Sequence, residues 1–327
     1  MAHSPRRQAA RQRGAQTGER FEQAWGGIRQ DRCDYQRPIP DAATLVQQRL
    51  EAAVVYALVE GLRHDWGVVD RAALAIGSVH PEPDRLTIDP VAGRELEVLT
   101  LLLPYYDGRP GQMGNFWGVP GLRLRPDGQH RDYWELGWLD EAGRDRGTQL
   151  RIRRPRTRPG ARLLPPTPGS GPEGQPGQQD FYRDLAPLWH THPRSISGVE
   201  RDRDLRGYYD YPTDQAELLS RLLRRPQLLV WPAGRGARAV CLYHHARLDL
   251  VVEWFGGPPV AEVAAAFLAA GLDLQPRDRA AQGLRDGTWP EWTLKLHAGT
   301  MELVLLPQPE PLHQGAWPPP ATPTDRP

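Results

Sequence analysis

The chain has 327 residues, 39% of them hydrophobic, with 33 glycines and 34 prolines. That supports one or two packed domains carrying long loops, and it excludes a collagen-like or wholly disordered chain. With 41 basic against 40 acidic residues the net charge is +1, so nothing global favours nucleic acid or an acidic membrane surface.

Residues 1–40 are polar and arginine-rich and read as a disordered arm. "PDAATLVQQRLEAAVVYALVEGLRHDWG" reads as a helix, with Asp41 as a cap and Leu45, Leu50, Val54, Ala57, Leu58 and Leu62 roughly on one face. "RAALAIGSV", "DRLTID" and "LEVLTLLLPYY" read as strands. From about residue 117 a meander is expected, turning at "RPDGQ" and "DEAGRDRG". A Pro/Gly-rich insertion covers about 155–179.

"FYRDLAPLWHTHP" reads as a buried strand, and "PTDQAELLSRLLRRP" as a helix with an early carboxylate and late arginines. "QLLVWPAGRGARAVCLYHHARLDLVVEWF" reads as three strands, with His244 and His245 in a turn. A helix, "VAEVAAAFLAAGL", and a hairpin, "EWTLKLHAGTMELVLLP", precede a proline-rich tail. No internal repeat is legible.

Two cysteines, Cys33 and Cys241, are too few for a disulfide framework or a four-cysteine metal site. Cys241, in an apolar strand, reads as a small buried hydrophobe. No apolar run approaches the ~20 residues of a membrane span, and the N-terminus has no apolar signal segment. The expected location is cytoplasmic.

The chemistry-bearing stretch is "LWHTHP". On a strand, residues i and i+2 share a face, so His190 and His192 would point together. Two imidazoles on one side can bind a divalent ion such as zinc. His80 also precedes a proline but has no histidine two positions before it.

"LWHTHP" followed by "YPTDQAELLSRLLRRPQLLVWPAGRGARAV" resembles the JAMM (JAB/MPN) metallopeptidase family. The likeness covers about residues 130–255. It implies an α/β (α+β) fold, an MPN/JAB-like mixed sheet flanked by helices. It also implies Zn2+ held by His190, His192 and Asp214, with one position open for water. Glu135 would be the catalytic residue, taking a proton from that water. Glu97 is the rival base, and Asp202 or Asp204 the rival third ligand.

Two departures stand out. The interval from His192 to Asp214 is about twice the family's usual one, and Tyr211 occupies the place of the family serine. Tyr211, Ser195 or Ser197 would have to supply that hydroxyl, and Trp189 and Tyr209 would wall the site.

The implied organisation is a disordered arm (1–40) and an N-terminal α/β region of unassigned role (41–125). A JAB/MPN-like metallopeptidase domain (126–256), a C-terminal helix and hairpin (257–307) and a disordered tail (308–327) follow. The implied activity is a zinc peptidase or isopeptidase acting on ubiquitin-like or sulfur-carrier protein tails, alongside activating enzymes of the same system. The alternative is a catalytically impaired MPN-like scaffold or interaction protein. Lys295 is the single lysine beside 40 arginines, which reads first as codon bias and second as avoidance of conjugation.

Overall fold

The structure is a computed structural model. It describes residues 4–30, 35–62, 74–106, 116–125, 132–155, 186–205, 213–230, 240–245, 249–255, 258–276, 294–298 and 301–308. The Pro/Gly-rich insertion and the proline-rich tail lie outside these residues. The chain is a mixed α/β protein with mixed sheets and packed helices. No helix among the described residues is long and apolar enough to cross a membrane.

The expected N-terminal arm instead contains two helices, α1 (Pro5–Thr17) and α2 (Phe21–Gln30). Arg13 of α1 is the reason. It is fully buried and donates to Glu19 Oε2 at 2.7 Å and to the Pro81 carbonyl at 3.1 Å. One charged side chain thereby ties the helix pair to the body. Gly27 of α2 permits the close approach, since a Cβ there would stand 2.6 Å from the Arg13 guanidinium carbon.

Helix α3 (Leu45–Leu62) forms where the apolar spacing predicts. Its cap is Thr44, whose Oγ1 accepts from the Gln47 N–H at 3.2 Å, while Asp41 instead accepts from Arg221. Leu50, Ala53, Val54, Val55, Leu58 and Val59 are all buried, so α3 is covered on more than one face.

Strands β1 (Ile76–Glu82) and β2 (Arg85–Pro90) form an antiparallel hairpin. The run expected as a third strand is instead helix α4 (Glu95–Leu102), followed by the short β3 (Tyr105–Tyr106). Leucine suits a helix as well as a strand, two glutamates occupy the first turn, and Val98, Leu99 and Leu102 share one buried face. Then come β4 (Phe116–Trp117), β5 (Leu122–Leu124), β6 (Tyr133–Trp138) and β7 (Leu150–Arg153).

Strand β8 (Ala186–Pro187) joins β3 and β4 in a small sheet, and helices α5 (Leu188–Thr191), α6 (Gly198–Leu205) and α7 (Thr213–Leu223) follow. A 3-10 turn (Pro226–Leu229) stands where the first of three strands was expected. Strands β9 (Val240–His245) and β10 (Asp249–Phe255), helix α8 (Val260–Ala269) and strands β11 (Gln275–Pro276), β12 (Leu294–Ala298) and β13 (Met301–Gln308) complete the fold. His244 and His245 end β9 and are not in the turn.

The two five-stranded sheets share one topology. The first runs β1-β2-β7-β6-β5, and the second, read from β9, runs β9-β10-β13-β12-β11. In each a helix precedes a hairpin, a second helix follows, and three more strands return. The last strand lies parallel to the second: β2 with β7, and β10 with β13. The strands of 126–256 are thus divided among three sheets: β6 and β7 in the first, β8 in the small one, β9 and β10 in the second.

The equivalent helices α3 and α7 pack against each other. Their contact encloses an ion pair sealed from solvent. Arg224 donates to Glu51 Oε1 at 2.6 Å and to Oε2 at 2.8 Å, and Ser220 Oγ donates to the same carboxylate at 2.6 Å.

Candidate functional site

His190 and His192 do not lie on a strand. The two-residue β8 ends at Pro187, and Leu188–Thr191 form a helical turn closed by the His192 N–H donating to the Leu188 carbonyl at 2.8 Å. Pro187 allows a strand only at a sheet margin, and the strand stops there. At about 100° per residue, side chains two positions apart on a helical turn are separated by roughly 200° around its axis. The shared face that alternation would give is therefore lost.

His190 is exposed and stands edge-on to the buried Trp189, ring centroids 5.7 Å apart. His192 is half-buried, with its Nδ1 2.9 Å from Thr191 Oγ1.

What holds this segment in place is Arg123 on β5. Its Nε donates to the His192 carbonyl and one Nη2 proton to the Ser195 carbonyl, both at 2.7 Å. Nη1 donates to the Leu122 carbonyl at 2.9 Å and to Glu200 Oε1 at 2.8 Å. The other Nη2 proton goes to Glu200 Oε2 at 2.8 Å. All five guanidinium donors are used.

Glu200 in turn accepts from the Gly121 and Ser197 N–H groups at 2.8 and 2.9 Å, and its own N–H donates to Ser197 Oγ at 3.2 Å. Ser197 and Glu200 form a capping box at the start of α6. Burial alone would raise the Glu200 carboxyl. The Arg123 guanidinium and the two backbone N–H groups outweigh it and hold the carboxyl below its ordinary range. Ser197 is therefore occupied as a cap, and Ser195 is exposed.

Glu135 lies on β6 opposite Arg151 of β7, and its Oε1 is 2.5 Å from Arg151 Nη2. Glu97 lies on α4, bound by Arg94 at 2.5 Å. Asp214 is half-buried in the first turn of α7, where its Oδ1 accepts from the Gln215 N–H at 3.0 Å. Asp202 and Asp204 sit on α6, with side chains outside the described residues, as are Tyr209 and Tyr211.

Among the described residues no three histidine, cysteine, aspartate or glutamate side chains converge as a metal would need. His190 is exposed, and the Glu135 carboxylate is engaged by Arg151.

The clamp has one local mark in the sequence. "SGVE" at 197–200 is a Ser-x-x-Glu box. The partner, Arg123, is one arginine among 40 and carries no local mark. His80 likewise has a partner that spacing could not show, the Glu19 carboxylate.

The chain matches no family model, no curated protein and no solved structure among known proteins.

Proposed function

We propose that the chain is a non-catalytic interaction protein, built from two like α/β units, in which the His-x-His segment is part of a fixed surface. The observation that carries this reading is the helical turn at Leu188–Thr191, which takes the place of the extended strand on which His190 and His192 would share a face. The Arg123 clamp supports it by holding the following loop at three backbone and carboxylate points. The Arg151 contact supports it by engaging the carboxyl that would move protons.

The test is the zinc content of the purified full chain, beside hydrolysis of a reporter fused behind a ubiquitin-like C-terminal tail. Less than a tenth of an equivalent of zinc and no turnover are expected. One zinc per chain, abolished by His192→Ala, would overturn the reading.

A second reading, the JAMM-like zinc peptidase, is favoured by one observation. Asp214 falls in the first turn of α7, where the Pro-Thr-Asp resemblance puts a ligand. Under it His190, His192 and Asp214 would hold Zn2+ and Glu135 would leave Arg151. The substrate would be a ubiquitin-like or sulfur-carrier tail, in the cytoplasm. Glu135→Gln would then keep metal and lose turnover.

A further inference from the structure

A pocket of about 260 Å3 opens far in sequence from the histidine pair, between α1, residues 36–41, Arg225 and the end of α8. Gln12 and Gln16 of α1, Asp41, Arg225 and Ala270 contribute to its wall.

Arg225 is only 4% exposed. Its Nη1 donates to the Arg221 carbonyl at 3.0 Å, and its Nε is buried with no partner. The neighbouring guanidinium groups are paired: Arg221 with Asp41, Glu217 and Asp273, and Arg224 with Glu51. Among the described residues Arg225 has no such carboxylate contact. Burial lowers its pKa to about 10, which still leaves it charged at neutral pH. A buried cation with no direct counter-ion is costly for a fold to keep.

Asp41 supplies the complement. Its Oδ2 accepts from Arg221 Nη2 at 3.1 Å, but its Oδ1 is buried with no partner. Arg225 and Asp41 thus put one cation and one anion on the wall of the same pocket, and each keeps a buried polar atom that has no protein partner.

We propose that this pocket binds a small zwitterion of the amino-acid class, its carboxylate against Arg225 and its ammonium against Asp41. A phosphate dianion would meet the Asp41 carboxylate, and a simple cation would meet Arg225. The volume lies below the ~300–1,000 Å3 of sites for drug-sized ligands, which suits a single amino acid better than a peptide or nucleotide. The inference is independent of the function proposed for the histidine segment.

The test is calorimetric titration of the full chain with L-alanine and L-glutamine, beside acetate and inorganic phosphate. At least one zwitterion is expected to bind at least tenfold more tightly than acetate, and phosphate more weakly still. Asp41→Asn should remove the preference over acetate. Gln16→Trp changes neither charge but fills the mouth from a partly exposed helix position, and it should weaken binding at least tenfold. Binding of neither zwitterion would overturn the proposal. So would acetate or phosphate binding as tightly, or zwitterion binding that both variants leave unchanged.

Discussion

Arg123 and Glu200 lie 77 residues apart in sequence and 2.8 Å apart in space, with side chains 3% and 0% exposed. This pair joins the edge strand β5 to the start of α6 and sets the path of residues 192–197 between them. Removing one partner strands the other as a buried charge.

Glu200→Ala is therefore expected to lower the unfolding free energy by about 3–5 kcal/mol. Glu200→Gln keeps the capping bonds and should lose less. Urea denaturation measures both. A loss below about 1 kcal/mol for the alanine variant would mean that solvent reaches Arg123 and the clamp does not act as described.

Arg224 and Glu51 give a different expectation, because both are fully buried where α3 meets α7. Arg224→Met or Glu51→Leu alone should each destabilise by about 3–5 kcal/mol. The double variant should recover most of that loss, since an apolar pair of similar volume avoids desolvation. A double-mutant cycle with purely additive losses would contradict this coupling.

His80 and Glu19 make the stability pH-dependent. The hydrogen bond to Glu19 raises the His80 pKa above its ordinary 6.5, against burial. Stability from this histidine is complete below 6.5 and is lost as pH rises through the raised folded value. For Glu19, burial pulls upward, but the bonds from His80 and Arg13 hold its pKa below 4.5. Its contribution is present above 4.5 and is lost as pH falls through the depressed folded value. Thermal melts from pH 4 to 9 should show wild type converging on His80→Gln at the alkaline end. A constant gap between the two would remove the ionic role of His80.

Gly118 has φ +82°, and a Cβ there would stand 2.2 Å from the Leu103 carbonyl oxygen. Gly118→Ala should cost about 1–2 kcal/mol from the left-handed backbone alone, and more from the clash. The same urea assay checks it, and a neutral substitution would show that this turn relaxes freely.

Several elements were legible because their information is local. Helix α3 follows from its apolar spacing. Helix α7 follows from the Pro-Thr-Asp start and the late arginines, and the β12–β13 hairpin from two apolar runs around His-Ala-Gly-Thr. Local pattern also misleads in two segments. "LEVLTLLL" suits a helix or a strand, and packing decided for the helix. "LAPLWHTHP" gave period-2 spacing to a segment that Pro187 cuts short.

The repeated topology was illegible because hydrogen-bonding order is repeated, with no residue pattern to mark it. The sequence by itself determined a mixed α/β chain with a dispersed, balanced charge and a histidine pair beside a proline. Only the tertiary structure decided which of the described arginines are buried, since Arg13, Arg123, Arg224 and Arg225 look like their exposed neighbours until distant carbonyls and carboxylates close around them. The physical reason is that a guanidinium's energy depends on the partners brought to it, and chain folding brings those partners from far away in sequence.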